Sequence, residues 1–89
     1  MEVNGIMKDF IEMVNARIEN GDSLTIGRLY GGYHDLDTIV PDSIVADSKI
    51  HINTETGGNI TIPEGFELIY DAFDDTYVFT YKEMAIYIS

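Results

Sequence analysis

The hydrophobic period of this chain changes from 3.6 to 2 at Gly21, and that switch constrains the fold more than any other feature. Ile6, Met7, Phe10, Ile11, Val14 and Ile18 form one apolar stripe at helical spacing, with Lys8, Asp9, Glu12, Asn15 and Glu19 on the other side. Asn4 is placed to cap the helix, and Asn20-Gly21 supplies a left-handed stop. The pattern predicts a helix over 5–20 and a β-rich remainder over 23–89. A chain of 89 residues makes these parts of a single domain, 1–89.

In the β-rich part, Leu24, Ile26 and Tyr30 share one phase, and Gly27 marks a bulge or a close approach of backbones. Residues 31–37, GGYHDLD, read as a loop. Residues 38–40 read as a short strand ended by Pro41-Asp42, and residues 44–46 as an apolar run without an evident partner. The stretch after it is more specific. Ile50 and Ile52 are separated from Ile60 and Ile62 by TETGG. A three-residue loop, Glu55-Thr56-Gly57, sets Ile52 against Ile60 and Ile50 against Ile62, with Gly57 left-handed.

Phe66, Leu68, Tyr70 and Ala72 then share a phase, as do Tyr77, Phe79 and Tyr81. A turn about Asp74-Asp75 sets Ala72 against Tyr77, Tyr70 against Phe79 and Leu68 against Tyr81, with Glu67 across from Lys82 on the wet side. Met84, Ile86 and Ile88 form a last strand whose phase flips at Lys82-Glu83, which demands a turn or a bulge there. Together these give an α+β fold: an N-terminal helix packed on one face of a five- or six-stranded, mainly antiparallel sheet. The other sheet face is expected to be polar and acidic.

Charge narrows the function. Sixteen acidic residues face five basic ones, for a net charge of −11, and from Ile50 onward there are seven acids and one base, Lys82. Phosphates need cationic partners, so direct contact with nucleic acid or with an anionic membrane is excluded as a main activity. No segment has the ~18 successive apolar residues of a membrane span, and no basic, apolar leader opens the chain. The absence of cysteine removes disulfides, thiolate metal sites and cysteine nucleophiles, and favours a cytoplasmic location.

Two stretches are candidate sites. Residues 30–37 place Tyr30, Tyr33 and His34 beside Gly31-Gly32, Asp35 and Asp37; flexible glycines presenting aromatics suit a binding loop for a small ligand, a cation or a protein. The second is YDAFDDTY, residues 70–77, where Asp71, Asp74 and Asp75 lie among aromatics. Asp-Asp at a hairpin tip also serves as an ordinary turn. A calcium loop needs alternating oxygen ligands about a central glycine, which this stretch lacks. His34 and His51 form no metal-ligand spacing, and neither GxGxxG nor a Walker motif nor GxSxG is present, so no metal, no cofactor and no catalytic role are expected.

Residues two apart on a strand lie ~6.6 Å apart on one face, close to the separation of neighbouring phosphates along a nucleic-acid strand. Glu55, Glu64, Glu67, Asp71, Asp74 and Asp75 therefore suggest an acidic surface that imitates a phosphate backbone and is met by a basic, nucleic-acid-binding protein. In size, charge, lack of cysteine and α+β build, the chain resembles the small acidic proteins that phages and mobile elements use against host defence, such as anti-CRISPR and anti-restriction proteins. The resemblance implies an inhibitor acting in the host cytoplasm and carries over no individual residue. A ligand- or cation-binding protein using residues 30–37 is the alternative. So is an assembly subunit, a homodimer formed through residues 86–88 as an apolar edge strand.

Overall fold

The computed structural model describes residues 5–89. The helix α1 (Gly5–Asn20) lies where the stripe predicts; the Asn4 cap falls outside the described residues. Phe10 and Val14 are fully buried, flanked by Met7, Ile11, Met13 and Ile18. The helix stops because Gly21 turns left-handed (φ 68°). The Gly21 N–H then reaches the Ile18 carbonyl at 3.3 Å and the Asp22 N–H the Arg17 carbonyl at 2.9 Å, closing the end that the helix itself leaves open.

Eight strands follow: β1 (Leu24–Tyr30), β2 (Tyr33–Ile39), β3 (Pro41–Ala46), β4 (Ile50–Thr54), β5 (Asn59–Ile62), β6 (Glu67–Asp71), β7 (Thr76–Tyr81) and β8 (Met84–Ile88). All pair antiparallel, and they divide into a five-stranded sheet ordered β2-β1-β8-β7-β6 and a three-stranded sheet ordered β3-β4-β5. The core joins Leu24, Ile26, Phe79, Ile86 and Ile88 of the larger sheet to Ile50, Ile52, Ile60 and Ile62 of the smaller one, with Phe10 and Val14 of the helix. Each such side chain contributes roughly 1.5–3 kcal/mol on burial. The helix touches β3 and β6, the edges it covers, and seats Phe10 edge-on against Tyr77 and Phe79 at ring separations of 5.4 and 5.0 Å.

The β4–β5 hairpin has the expected register, Ile50 with Ile62 and Ile52 with Ile60, and Gly57 is left-handed (φ 86°). The phase flip at Lys82-Glu83 is a tight turn that pairs Tyr81 with Met84.

Four expectations are corrected. Residues 31–37 are not a loop: Gly31 and Gly32 (φ 56° and 82°) make a two-residue turn, and β2 begins at Tyr33. Two left-handed residues match the twist of a hairpin, which glycine permits without strain. Pro41 opens β3 instead of ending a strand, and residues 44–46 pair with β4. The β6–β7 register differs by two residues: Leu68 faces Phe79 and Tyr70 faces Tyr77, so Glu67 faces Thr80 and not Lys82. A four-residue turn over 72–75 closes this hairpin, with Asp75 left-handed (φ 52°). Finally, β8 is not an edge; it lies between β1 and β7.

Gly27 is no bulge either, since the β1 register runs through it unbroken. Nor is it a close approach of backbones: a Cβ there would meet the side chains of Tyr87 (Cβ, 3.6 Å) and Leu36 (Cδ1, 3.7 Å) at ordinary contact distances.

Candidate functional site

The turn at residues 72–75 is built by its own aspartates. Asp71 Oδ1 accepts hydrogen bonds from the N–H of Phe73 (3.0 Å) and of Asp74 (3.4 Å), and the Thr76 hydroxyl donates to the Asp74 carbonyl (3.0 Å). The Tyr70 hydroxyl donates to Asp75 Oδ1, tying the strand to the turn. This bracing leaves Phe73 95% exposed at the tip, a large apolar side chain held away from any core.

The helix adds charge to the same end of the molecule. Tyr77 packs under Phe10, within reach of the fields of Asp9, Glu12 and Asp75. Burial raises its phenol pKa first, and those three carboxylates raise it further. Tyr70 is pushed up to about 12, chiefly because its hydroxyl donates to the Asp75 carboxylate, with desolvation and the charges of Asp75 and Asp71 adding. Among the described residues, no cation contributes to either shift. Four acids, Asp9, Glu12, Asp71 and Asp75, thus act on Tyr70 and Tyr77, and Asp74 lies beside them in the same turn as Phe73. The sequence pattern marks only the three aspartates of the turn, because which strand lies beneath the helix leaves no trace in local spacing.

The other candidate residues lie elsewhere. Tyr30 and Tyr33 flank the Gly31-Gly32 turn, rings 5.3 Å apart. Asp35 and Asp37 follow on β2, and Asp35 accepts from Arg28 at 3.2 Å, the one ion pair among the described residues. The β2 edge is four strand positions from β6, roughly 19 Å. Glu55 sits on the β4–β5 turn, its N–H bonded to the Val40 carbonyl. Glu64 lies in the β5–β6 connection, and Glu67 starts β6, ~13 Å along the strand from Asp71. The eleven residues therefore do not form one surface, although His34, Asp35 and Asp74 line a common groove. His34 is on β2 and His51 on β4, where its Nδ1 lies 3.2 Å from Thr61 Oγ1. No three His, Asp or Glu side chains converge on a metal position among the described residues.

The outward face of the five-stranded sheet is not the polar, acidic surface expected. Leu36, Gly27, Tyr87, Val78 and Ile69 stand directly opposite one another across all five strands. They make an unbroken apolar row ~19 Å long. Val78 is only 5% exposed, whereas Leu36 and Ile69 are 76% and 51% exposed. Over Gly27, where no side chain stands, the row dips into a groove of about 450 Å³.

Comparison with known proteins adds no relative: no protein-family model, no curated protein and no solved structure matches the chain. No described helix is long and apolar enough to cross a membrane.

Proposed function

We propose that the protein is a small acidic binding module, without catalytic activity, that inhibits a nucleic-acid-binding protein by offering carboxylates where that protein expects phosphates. The observation that carries this reading is the convergence of Asp9, Glu12, Asp71 and Asp75 on Tyr70 and Tyr77 at one end of the molecule, with no cation among the described residues contributing there. Structure alone does not require this placement. A fold seeking only solubility gains by spreading like charges, since crowding them costs self-repulsion. Phe73 supports the same reading: an exposed aromatic on a braced turn, ringed by charge, has the form of an interface anchor. Long-range attraction brings the basic partner in, and the aromatic then holds it. A partner of this kind places the protein in the cytoplasm.

The test compares the wild type with a variant carrying Asp9→Asn, Glu12→Gln and Asp75→Asn, each a near-isosteric loss of charge. Affinity capture from a host lysate at low salt is expected to recover nucleic-acid-binding proteins with the wild type and to lose them with the variant. Equal recovery by both would refute the reading.

A further inference from the structure

The groove on the outward face of the five-stranded sheet has a definite shape and a charged end. Its floor is the backbone of β1 at Gly27, its walls are the side chains of Leu36 on one side and Tyr87 on the other, and it runs on to Leu29 and His34. At its other end stands Asp74, from the turn that carries the acidic cluster. The Arg28 guanidinium nearby is already engaged by Asp35, so the free charge facing the groove is negative. From Gly27 to the level of Thr25 is two residues of strand, ~6.6 Å, and the turn that carries Asp74 enters β7, two strands or roughly 10 Å to the side of β1.

We propose that this groove receives an extended segment of the partner protein bearing a bulky apolar side chain and, two residues away, a lysine or arginine. Side chains two apart on an extended segment share a face at the same ~6.6 Å repeat. The apolar one therefore fills the space above Gly27 while the cation, at the level of Thr25, extends its long side chain across β8 towards Asp74. Charge decides between occupants. A second copy of this chain would bring −11 against −11 and set another acidic end against this one. A basic segment satisfies both the apolar floor and the acidic mouth. The inference rests on the reading that the partner is basic, and it adds where and by what pattern that partner is gripped.

Gly27→Val tests it cleanly. Gly27 is not among the left-handed glycines, and an added Cβ meets its neighbours at ordinary contact distances, so valine fills the groove while suiting the strand. The probe is the capped pentapeptide TFTRT at millimolar concentration, with TSTRT and TFTET as controls, followed by backbone amide NMR shifts. Shifts at Gly27, Leu36 and Tyr87 are expected with TFTRT, about tenfold weaker binding with either control, and no binding to the Gly27→Val protein. No shifts with TFTRT, or equal binding by the valine variant, would overturn the proposal. So would shifts at these amides that grow with protein concentration in the absence of peptide, which would mark self-association instead. The acidic-end reading is scored separately by the triple charge variant, which leaves Asp74 and the groove intact. If Gly27→Val captures the lysate partner as well as the wild type does, the groove fails and the acidic end stands. If the triple variant captures it equally while the peptide binds, the reverse holds.

Discussion

Phe10→Ala should cost this protein a large part of its stability and dismantle the acidic end at the same time. Phe10 is fully buried and meets Tyr77 and Phe79 edge-on, at 5.4 and 5.0 Å, so it packs the helix directly on the larger sheet. Truncating a buried phenylalanine to alanine typically costs 3–5 kcal/mol, and losing two aromatic contacts puts this site towards the upper end of that range. At ~0.05–0.15 kcal/mol per residue, the 89-residue chain has only about 4–13 kcal/mol to lose. A loss of 3 kcal/mol or more lowers the melting temperature by at least ~12 °C in a domain this small. Urea unfolding followed by circular dichroism measures it. The functional consequence is read separately: with the helix loosened, Tyr77 loses first the burial and then the nearby charges of Asp9 and Glu12 that raise its pKa, and its phenol should titrate closer to an ordinary tyrosine. A destabilisation under about 1.5 kcal/mol, or an unchanged tyrosine titration, would refute the role assigned to Phe10.

Two further outcomes are expected. The Tyr70 pKa is raised to about 12 in the folded protein, so the neutral hydroxyl contributes stability that is fully present below about pH 10, the unfolded value, and is lost as pH rises to about 12. Urea unfolding at pH 9 and at pH 11.5 should show that part of the alkaline loss disappear in Tyr70→Phe, and an identical pH dependence in both proteins would contradict it. Phe73→Ala should leave stability within about 0.5 kcal/mol of wild type, because the ring touches no core, yet weaken partner binding by roughly 2 kcal/mol; calorimetry on the captured partner would show whether affinity instead stays the same.

The parts of the fold legible in the sequence are those where parity and turn chemistry act together. The helix shows in its stripe and its Asn20-Gly21 stop, and the β4–β5 register follows from isoleucine phase plus one left-handed glycine. The β6–β7 hairpin shows the limit of that logic. A slip of two residues keeps every side chain on its own face, so phase alone does not separate Tyr70 opposite Phe79 from Tyr70 opposite Tyr77. The four-residue turn, braced by Asp71 and Asp75, decides it. β2 escapes detection because an edge strand needs no apolar alternation, and Asp35 and Asp37 read as loop residues. The division into two sheets leaves no local signal.

Site legibility follows the same rule. The aspartates of YDAFDDTY stand out in the sequence, but their company does not. Asp9 and Glu12 reach them only through the packing of α1, and the apolar row exists only once five strands are placed side by side. Gly27, Ile69, Val78 and Tyr87 each lie in the phase that reads as solvent-facing within its own strand, and Leu36 lies in a stretch that reads as a loop.

The most direct measurement is affinity capture from a host lysate at low and at high salt, with wild type and the Asp9→Asn, Glu12→Gln, Asp75→Asn protein side by side. Phosphate imitation predicts that the wild type retains a nucleic-acid-binding protein at low salt and releases it at high salt, and that the charge variant retains little at either. A partner held equally by both proteins and unaffected by salt would contradict it.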